Sequence, residues 1–175
     1  MKVLHLVIFS VFFVCSAVSQ EKSAQFPDDF FGKYAGMLAI SSENSNQKIP
    51  MEFHLMPTDS VGTYTYTLIY GEETTKQVRD YTLRVENEEK GTYVVDENNG
   101  IILDDKVIGN RMYALFEVNG TILTTFITFE SEHMVFEIVA SPKERKRLSY
   151  TTDERKTEVI SYPITTVQRA VLKKL

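Results

Sequence analysis

From Phe30 onward the apolar residues of this chain recur at almost every second position. Ile49, Met51, Phe53 and Leu55 alternate with Pro50, Glu52, His54 and Met56; Tyr64, Tyr66, Leu68 and Tyr70 alternate with Thr63, Thr65 and Thr67. A period of two puts successive side chains on opposite sides of an extended strand, so each run has one apolar face and one more polar face, as half-buried antiparallel strands do. The pattern continues through Tyr81, Leu83 and Val85, Tyr93 and Val95, and Ile101 to Leu103. It resumes at Met112, Ala114, Phe116 and Val118, at Ile122 to Phe129, at Met134, Phe136 and Ile138, and at Thr165 to Leu172. With a first strand after Phe31 and a segment from Thr157 to Ser161, this predicts about ten strands, with ends uncertain by about 2–4 residues. No stretch after residue 20 carries a 3.6-residue apolar stripe, so the predicted class is all-β.

The connections read as hairpin turns. Asn119-Gly120 lies between two alternating runs, the pairing of residue types that a two-residue type I′ turn demands. Asn99-Gly100, Gly109-Asn110 and Lys90-Gly91 supply further residues tolerant of positive φ. Asn119-Gly120-Thr121 also matches a glycosylation acceptor, but the turn accounts for it.

About ten sequential strands with short connections leave two exposed edges unless the sheet curls on itself, and closure removes both. The expected architecture is therefore a single antiparallel up-and-down barrel over residues 20–175 with the apolar face inside. The first strand, "DFFGKYAGM", resembles that of the calycin-like group (lipocalins, fatty-acid-binding proteins and nitrobindins), in which an aromatic is followed by G-x-W or G-x-Y; the matching positions are Phe31, Gly32 and Tyr34. The resemblance implies a lipocalin-like barrel in which an Arg of the last strand, here Arg169, stacks on the first-strand aromatic and closes the barrel. It also implies that "FPDDF" plugs one end. The segment Ser41 to Lys48 is too short and polar for the helical lid of fatty-acid-binding proteins. The chain ends in its last strand where lipocalins carry a helix, and no His follows His133 to match the haem ligand of nitrobindins.

Residues 1–19 have the form of a secretory signal peptide, with Lys2, an apolar run from Val3 to Val14, and small residues at Ala17 and Ser19. The expectation is export, periplasmic or secreted, after cleavage following Ser19. The only Cys, Cys15, would leave with that segment, so disulfides, thiol catalysis and cysteine metal sites are not expected in the mature chain. The formal charge is −5. An acidic chain without a basic stripe is not expected to bind nucleic acid. One segment stands apart: Ser141 to Val159 clusters Lys143, Arg145, Lys146 and Arg147 before Asp153, Glu154, Arg155 and Lys156. It reads as a solvated hairpin or short helical excursion, or as a contact patch for an acidic protein or a lipid headgroup surface.

Motifs for catalysis are absent: there is no G-x-S-x-G, H-E-x-x-H, S-x-x-K or glycine-rich phosphate loop. Asp104 and Asp105 adjoin each other, so on a strand they point to opposite faces and cannot share a substrate. His54 with Glu52, and His133 with Glu132, lie on polar faces and read as surface residues rather than metal ligands. The expectation is a chain that is not an enzyme and needs no cofactor. Phe53, Tyr64, Tyr66, Tyr81, Phe116, Phe126 and Phe136 are expected to point inward, either as the wall of a pocket for a small hydrophobic ligand or as a solid core. Arg169 joins them as a group able to recognise a carboxylate. Two readings follow: a monomeric, lipocalin-like carrier sequestering a small apolar or amphipathic molecule, or a non-enzymatic interaction module whose barrel is filled with side chains.

Overall fold

In a computed structural model that describes residues 24–175, the period-two runs become twelve strands: β1 (Gly32–Ser42), β2 (Asn46–Pro57), β3 (Thr63–Tyr70), β4 (Gln77–Asn87), β5 (Thr92–Asp96), β6 (Ile102–Ile108), β7 (Arg111–Val118), β8 (Thr121–Phe129), β9 (His133–Pro142), β10 (Arg147–Tyr150), β11 (Glu158–Ser161) and β12 (Thr166–Lys174). The segment read as a signal peptide, residues 1–19, lies outside the described residues. Ten strands form a closed antiparallel barrel in the order β1-β12-β9-β8-β7-β6-β5-β4-β3-β2, with β2 returning to β1. The remaining two, β10 and β11, pair only with each other. The Thr157 to Ser161 run is thus half of a separate hairpin and not a stave of the barrel.

Closure is made by β1 and β12, in register from Tyr34↔Lys174 to Ser42↔Thr166. Gly36 permits the closest approach along this seam. A Cβ built there would stand 2.5 Å from the backbone oxygen of Val171, too near for any side chain. The Arg169 expectation is corrected here. Alternation along β12 turns Ala170 and Leu172 inward, where both are buried, so Arg169, one residue before Ala170, faces out and its Nε lies 3.3 Å from Glu137 of β9. The cation over the Tyr34 ring is instead Lys174, with its Nζ 5.8 Å from the ring centre.

One end of the barrel is filled. A single 3-10 turn at Asp28–Phe30 drives Phe26 and Phe30 onto Phe129, each at 5.4 Å between ring centres, and Phe26 meets Tyr93 edge-on at 5.3 Å. The buried Tyr34 hydroxyl donates to the Phe30 carbonyl at 2.6 Å, fastening the plug to β1. Phe129 also touches Tyr34 and Phe53. Aromatic pairs of this kind add about 0.5–1.5 kcal/mol each beyond their buried area, so Phe129 is the hub of the core.

The Asn119-Gly120 turn takes φ of 48° and 76°, both positive as a type I′ turn requires. It fixes the β7–β8 register at Val118↔Thr121, hence Phe116↔Leu123, Ala114↔Thr125 and Met112↔Ile127.

Candidate functional site

The opposite end, bounded by the β3–β4, β5–β6 and β7–β8 connections, opens into a cavity of about 420 Å³. Its apolar lining comes from Leu68, Val95, Leu103, Ala114, Phe116, Leu123, Phe136 and Ile138. Its polar lining comes from Tyr66 and Tyr70 on β3, Arg79 and Tyr81 on β4, Glu97, Asp105 on β6, and Gln168 on β12. The interior is therefore packed solid at one end and hollow at the other.

Of the residues expected to point inward, four meet at this cavity: Tyr66, Tyr81, Phe116 and Phe136. The rings of Tyr66 and Tyr81 lie 6.3 Å apart at 21°. The others lie elsewhere. Phe53 is fully buried in the core, edge-on to Tyr66 at 4.8 Å and 5.9 Å from Phe129. Tyr64 packs on Phe31 at 5.5 Å near the plug. Phe126 faces outward, a correction the β7–β8 register explains. Its partner is Tyr113, which lies opposite in phase to the inward Met112 and Ala114. Outside the barrel, the Arg111 guanidinium stands 4.9 Å from the Phe126 ring centre and 5.1 Å from that of Tyr113. Arg169 is also outside.

Sequence reasoning misses Asp105 and Arg79, although the signals for both are present. Leu103 is inward, so Asp105, two residues on, shares its face; Tyr81 is inward, and Arg79 precedes it by two. Asp104 does point the opposite way from Asp105, as adjacent residues on a strand must. β6 pairs with β7 only from Asp105↔Ala114 to Ile108↔Arg111. Beyond Asp105 the two strands part, and Asp105 lines both the cavity and an outer groove with Asp104, Tyr113, Leu115 and Phe126. Burial, aided by the negative charge of Asp104, pushes the Asp105 carboxyl up to about 7. Burial also raises the Tyr66 hydroxyl well above its ordinary value and carries that of Tyr70 to about 12. The Arg79 guanidinium lies beside the Tyr81 hydroxyl, which raises its pKa.

The two histidines do not come together. His54 on β2 sits 2.9 Å from Glu52, while β9, which carries His133, is separated from β2 by β1 and β12. Among the described residues no cluster of three or more metal-ligating side chains forms.

The charged segment springs from the rim of the open end. Lys143 is tied to Glu117 at 2.7 Å, and Arg145 makes two hydrogen bonds to Glu43 at 2.8 and 2.9 Å. Beyond these anchors the β10–β11 hairpin stands clear of the barrel with all eight of its residues exposed. Leu148 is paired with Ile160 and shares its face with Tyr150, and the three are 49, 41 and 54 % exposed in the order Leu148, Ile160, Tyr150. At the hairpin's base, Arg145, Arg147, Ser161 and Tyr162 line a small recess.

No protein-family model matches the chain, and no curated protein matches it. Among solved structures, it is similar to a protein of unknown function from the DUF3598 family of Nostoc punctiforme, with a TM-score of 0.60 and 7% identity over 85% of this chain. The chain spans about half, 48%, of that protein's length. It is also similar to the S-type phycobiliprotein lyase CPES of Guillardia theta, with a TM-score of 0.56 and 6% identity over 85% of this chain and 89% of the lyase. The likeness is one of fold. The closed ten-strand barrel fits the calycin fold, as the first-strand resemblance implies.

The second likeness corrects the expectation that the chain is not an enzyme. A barrel of this architecture serves a lyase, and missing hydrolase and kinase motifs say nothing about chemistry carried out inside such a barrel.

The Asp105 environment can be tested through stability. Its folded pKa of about 7 lies above the ordinary 3.8. Its stabilising contribution is therefore full below about pH 4 and lost as pH rises through 7. Asp105→Asn cannot ionise, so its stability relative to the unsubstituted protein is expected to grow by on the order of 1–3 kcal/mol between about pH 4 and pH 8 in urea unfolding. A difference that stays constant with pH contradicts the environment described.

Proposed function

We propose that this chain is a carrier barrel whose open end takes in a small apolar or amphipathic molecule, and that it works as an exported monomer after loss of residues 1–19. The observation that carries the reading is the cavity of about 420 Å³ at the open end. Small-molecule sites commonly measure about 300–1,000 Å³, with mostly apolar walls and a few convergent polar groups. Here the polar groups are Tyr66, Tyr70, Tyr81, Arg79 and Asp105. Burial of apolar ligand surface at roughly 25 cal/mol per Å² supplies the drive, offset by the entropy lost on capture. A hollow of this size disfavours the filled-barrel alternative. The lyase likeness supports the reading only as a precedent for the fold. Capture comes first for a carrier and for an enzyme alike, so the reading concerns capture. Export rests on Lys2, the apolar run and the small residues at Ala17 and Ser19.

Ala114 faces the cavity and is small, so Ala114→Phe is expected to fill part of it. The substitution should weaken binding of the neutral apolar dye N-phenyl-1-naphthylamine by about tenfold or more, because the narrowed cavity buries less of the dye's apolar surface. Val167→Phe, on the outer face of β12, should leave binding unchanged. Native mass spectrometry of protein purified from its own host should show a bound small molecule. Bare polypeptide together with no dye binding contradicts the reading.

A second reading concerns the β10–β11 arm, which we propose docks on an anionic lipid surface beside the barrel mouth. Two features favour it: the recess lined by Arg145 and Arg147 suits a phosphate headgroup, and Leu148, Tyr150 and Ile160 present an exposed apolar face that can enter the headgroup boundary. The protein should cosediment with vesicles containing phosphatidylglycerol and not with pure phosphatidylcholine. Replacing Lys146 and Arg147 by Ser should abolish the difference, and equal recovery with both vesicle types contradicts the assignment.

A further inference from the structure

Asp105 is an acid placed where an acid is costly. Along β6, Leu103, Asp105 and Val107 turn inward while Asp104 and Lys106 turn out. The carboxyl thereby projects into a cavity whose nearest walls include Leu103, Ala114 and Phe116. It makes no hydrogen bond or ion pair among the described residues. An ionised carboxylate in such surroundings requires a partner or must take up a proton.

The groups that face it supply no positive partner. Tyr66, across the cavity on β3, is close enough for the Asp105 charge to raise the phenol's pKa further. On β5, Tyr93 stands opposite Asp105 in the ladder, and on β7 its partner is Ala114. Towards the mouth come Tyr70, Tyr81, Glu97 and Arg79, and Arg79 is engaged with Tyr81 and influenced by Glu97. On β6 itself, the Asp104 charge adds repulsion, and the Lys106 ammonium is bonded outside to the Lys90 carbonyl. With Asp105 ionised, the cavity and its mouth hold two carboxylates, Asp105 and Glu97, against one guanidinium.

We propose that the molecule taken into this cavity carries a hydrogen-bond-donating nitrogen, above all a protonated amine, that seats against Asp105 while its apolar body lies along Phe116, Leu123 and Phe136. This rests on the reading of the cavity as a ligand site and names the class of ligand. An ammonium supplies the charge partner that the protein withholds, and it converts Asp105 from a destabilising group into a paired one. Binding of a cation is linked to loss of the Asp105 proton, so affinity rises with pH until the carboxyl is ionised in the free protein.

The test compares decylamine, decanol and decanoate, three probes with one chain and different heads, by isothermal titration calorimetry below their aggregation limits. The proteins are the unsubstituted chain, Asp105→Asn, and Glu137→Gln, which removes a carboxylate from the outer face. At pH 8 decylamine is expected to bind at least about tenfold more tightly than decanol, and decanoate more weakly than either. Between pH 5 and pH 8 decylamine affinity should rise on the order of 50-fold while that of decanol stays flat. Asp105→Asn should erase both effects and keep decanol binding, and Glu137→Gln should change neither. If all three probes bind alike, or decanoate binds most tightly, the amine assignment falls and the cavity reading stands. If none binds any of the proteins, the cavity reading itself falls and takes the assignment with it.

Discussion

The seam between β1 and β12 holds this structure together. It joins the first and last strands of the barrel, and without it the ten barrel strands would form an open sheet with β1 and β12 as its two unpaired edges. Backbone pairing from Tyr34↔Lys174 to Ser42↔Thr166 provides the seam. Side chains then make it specific. Gly36 lets the strands approach, Leu38, Ala170 and Leu172 bury against the interior, and Lys174 covers the Tyr34 ring. No disulfide is needed, because the staple is a ladder of hydrogen bonds backed by a buried stripe.

Closure also divides the interior. At the plugged end, Phe26, Phe30, Tyr34, Phe53 and Phe129 form a continuous aromatic cluster. These rings fill the bore so fully that Phe53 and Phe129 are wholly buried. Past Tyr66 large rings line only part of the wall, and several inward positions are small or polar: Ala114, Leu123 and Thr125 on β7 and β8, Asp105 on β6, Gln168 on β12. Smaller side chains on the same cylinder leave space, and that space is the cavity. The hollow is thus a consequence of which residue types occupy the inward phase towards one rim, and its polarity follows from the same positions.

Much of this is legible in the alternation alone. The inward phase of β2, β3, β4 and β7 follows directly from runs such as Met51-Phe53-Leu55 and Met112-Ala114-Phe116, and the closed barrel follows from avoiding edges. β8 is harder, because Ile122 to Phe129 is apolar or threonine on both faces with one Phe in each phase, so Phe126 invites the wrong phase. The Asn119-Gly120 turn contains the answer, since a two-residue turn pairs Phe116 with Leu123 and so sends Phe126 outward. An inward Arg169 follows from resemblance alone, against the local evidence of Ala170 and Leu172. For Asp105, adjacency to Asp104 distracts from the informative fact, its spacing from Leu103. The Thr157 to Ser161 run has strand character but no neighbour in the barrel. Strand propensity does not say which sheet a strand joins.

Amide hydrogen exchange followed by NMR tests the central claim most directly. If β1 and β12 close the barrel, the amides that bond across their seam, those of Ala35, Ala39, Arg169 and Lys173, exchange only through global unfolding, as slowly as those of Phe53 on β2 and Phe136 on β9. Exchange at these four positions that is fast and independent of denaturant, while Phe53 and Phe136 stay protected, would mean that β1 and β12 are frayed edges of an open sheet, contradicting the account.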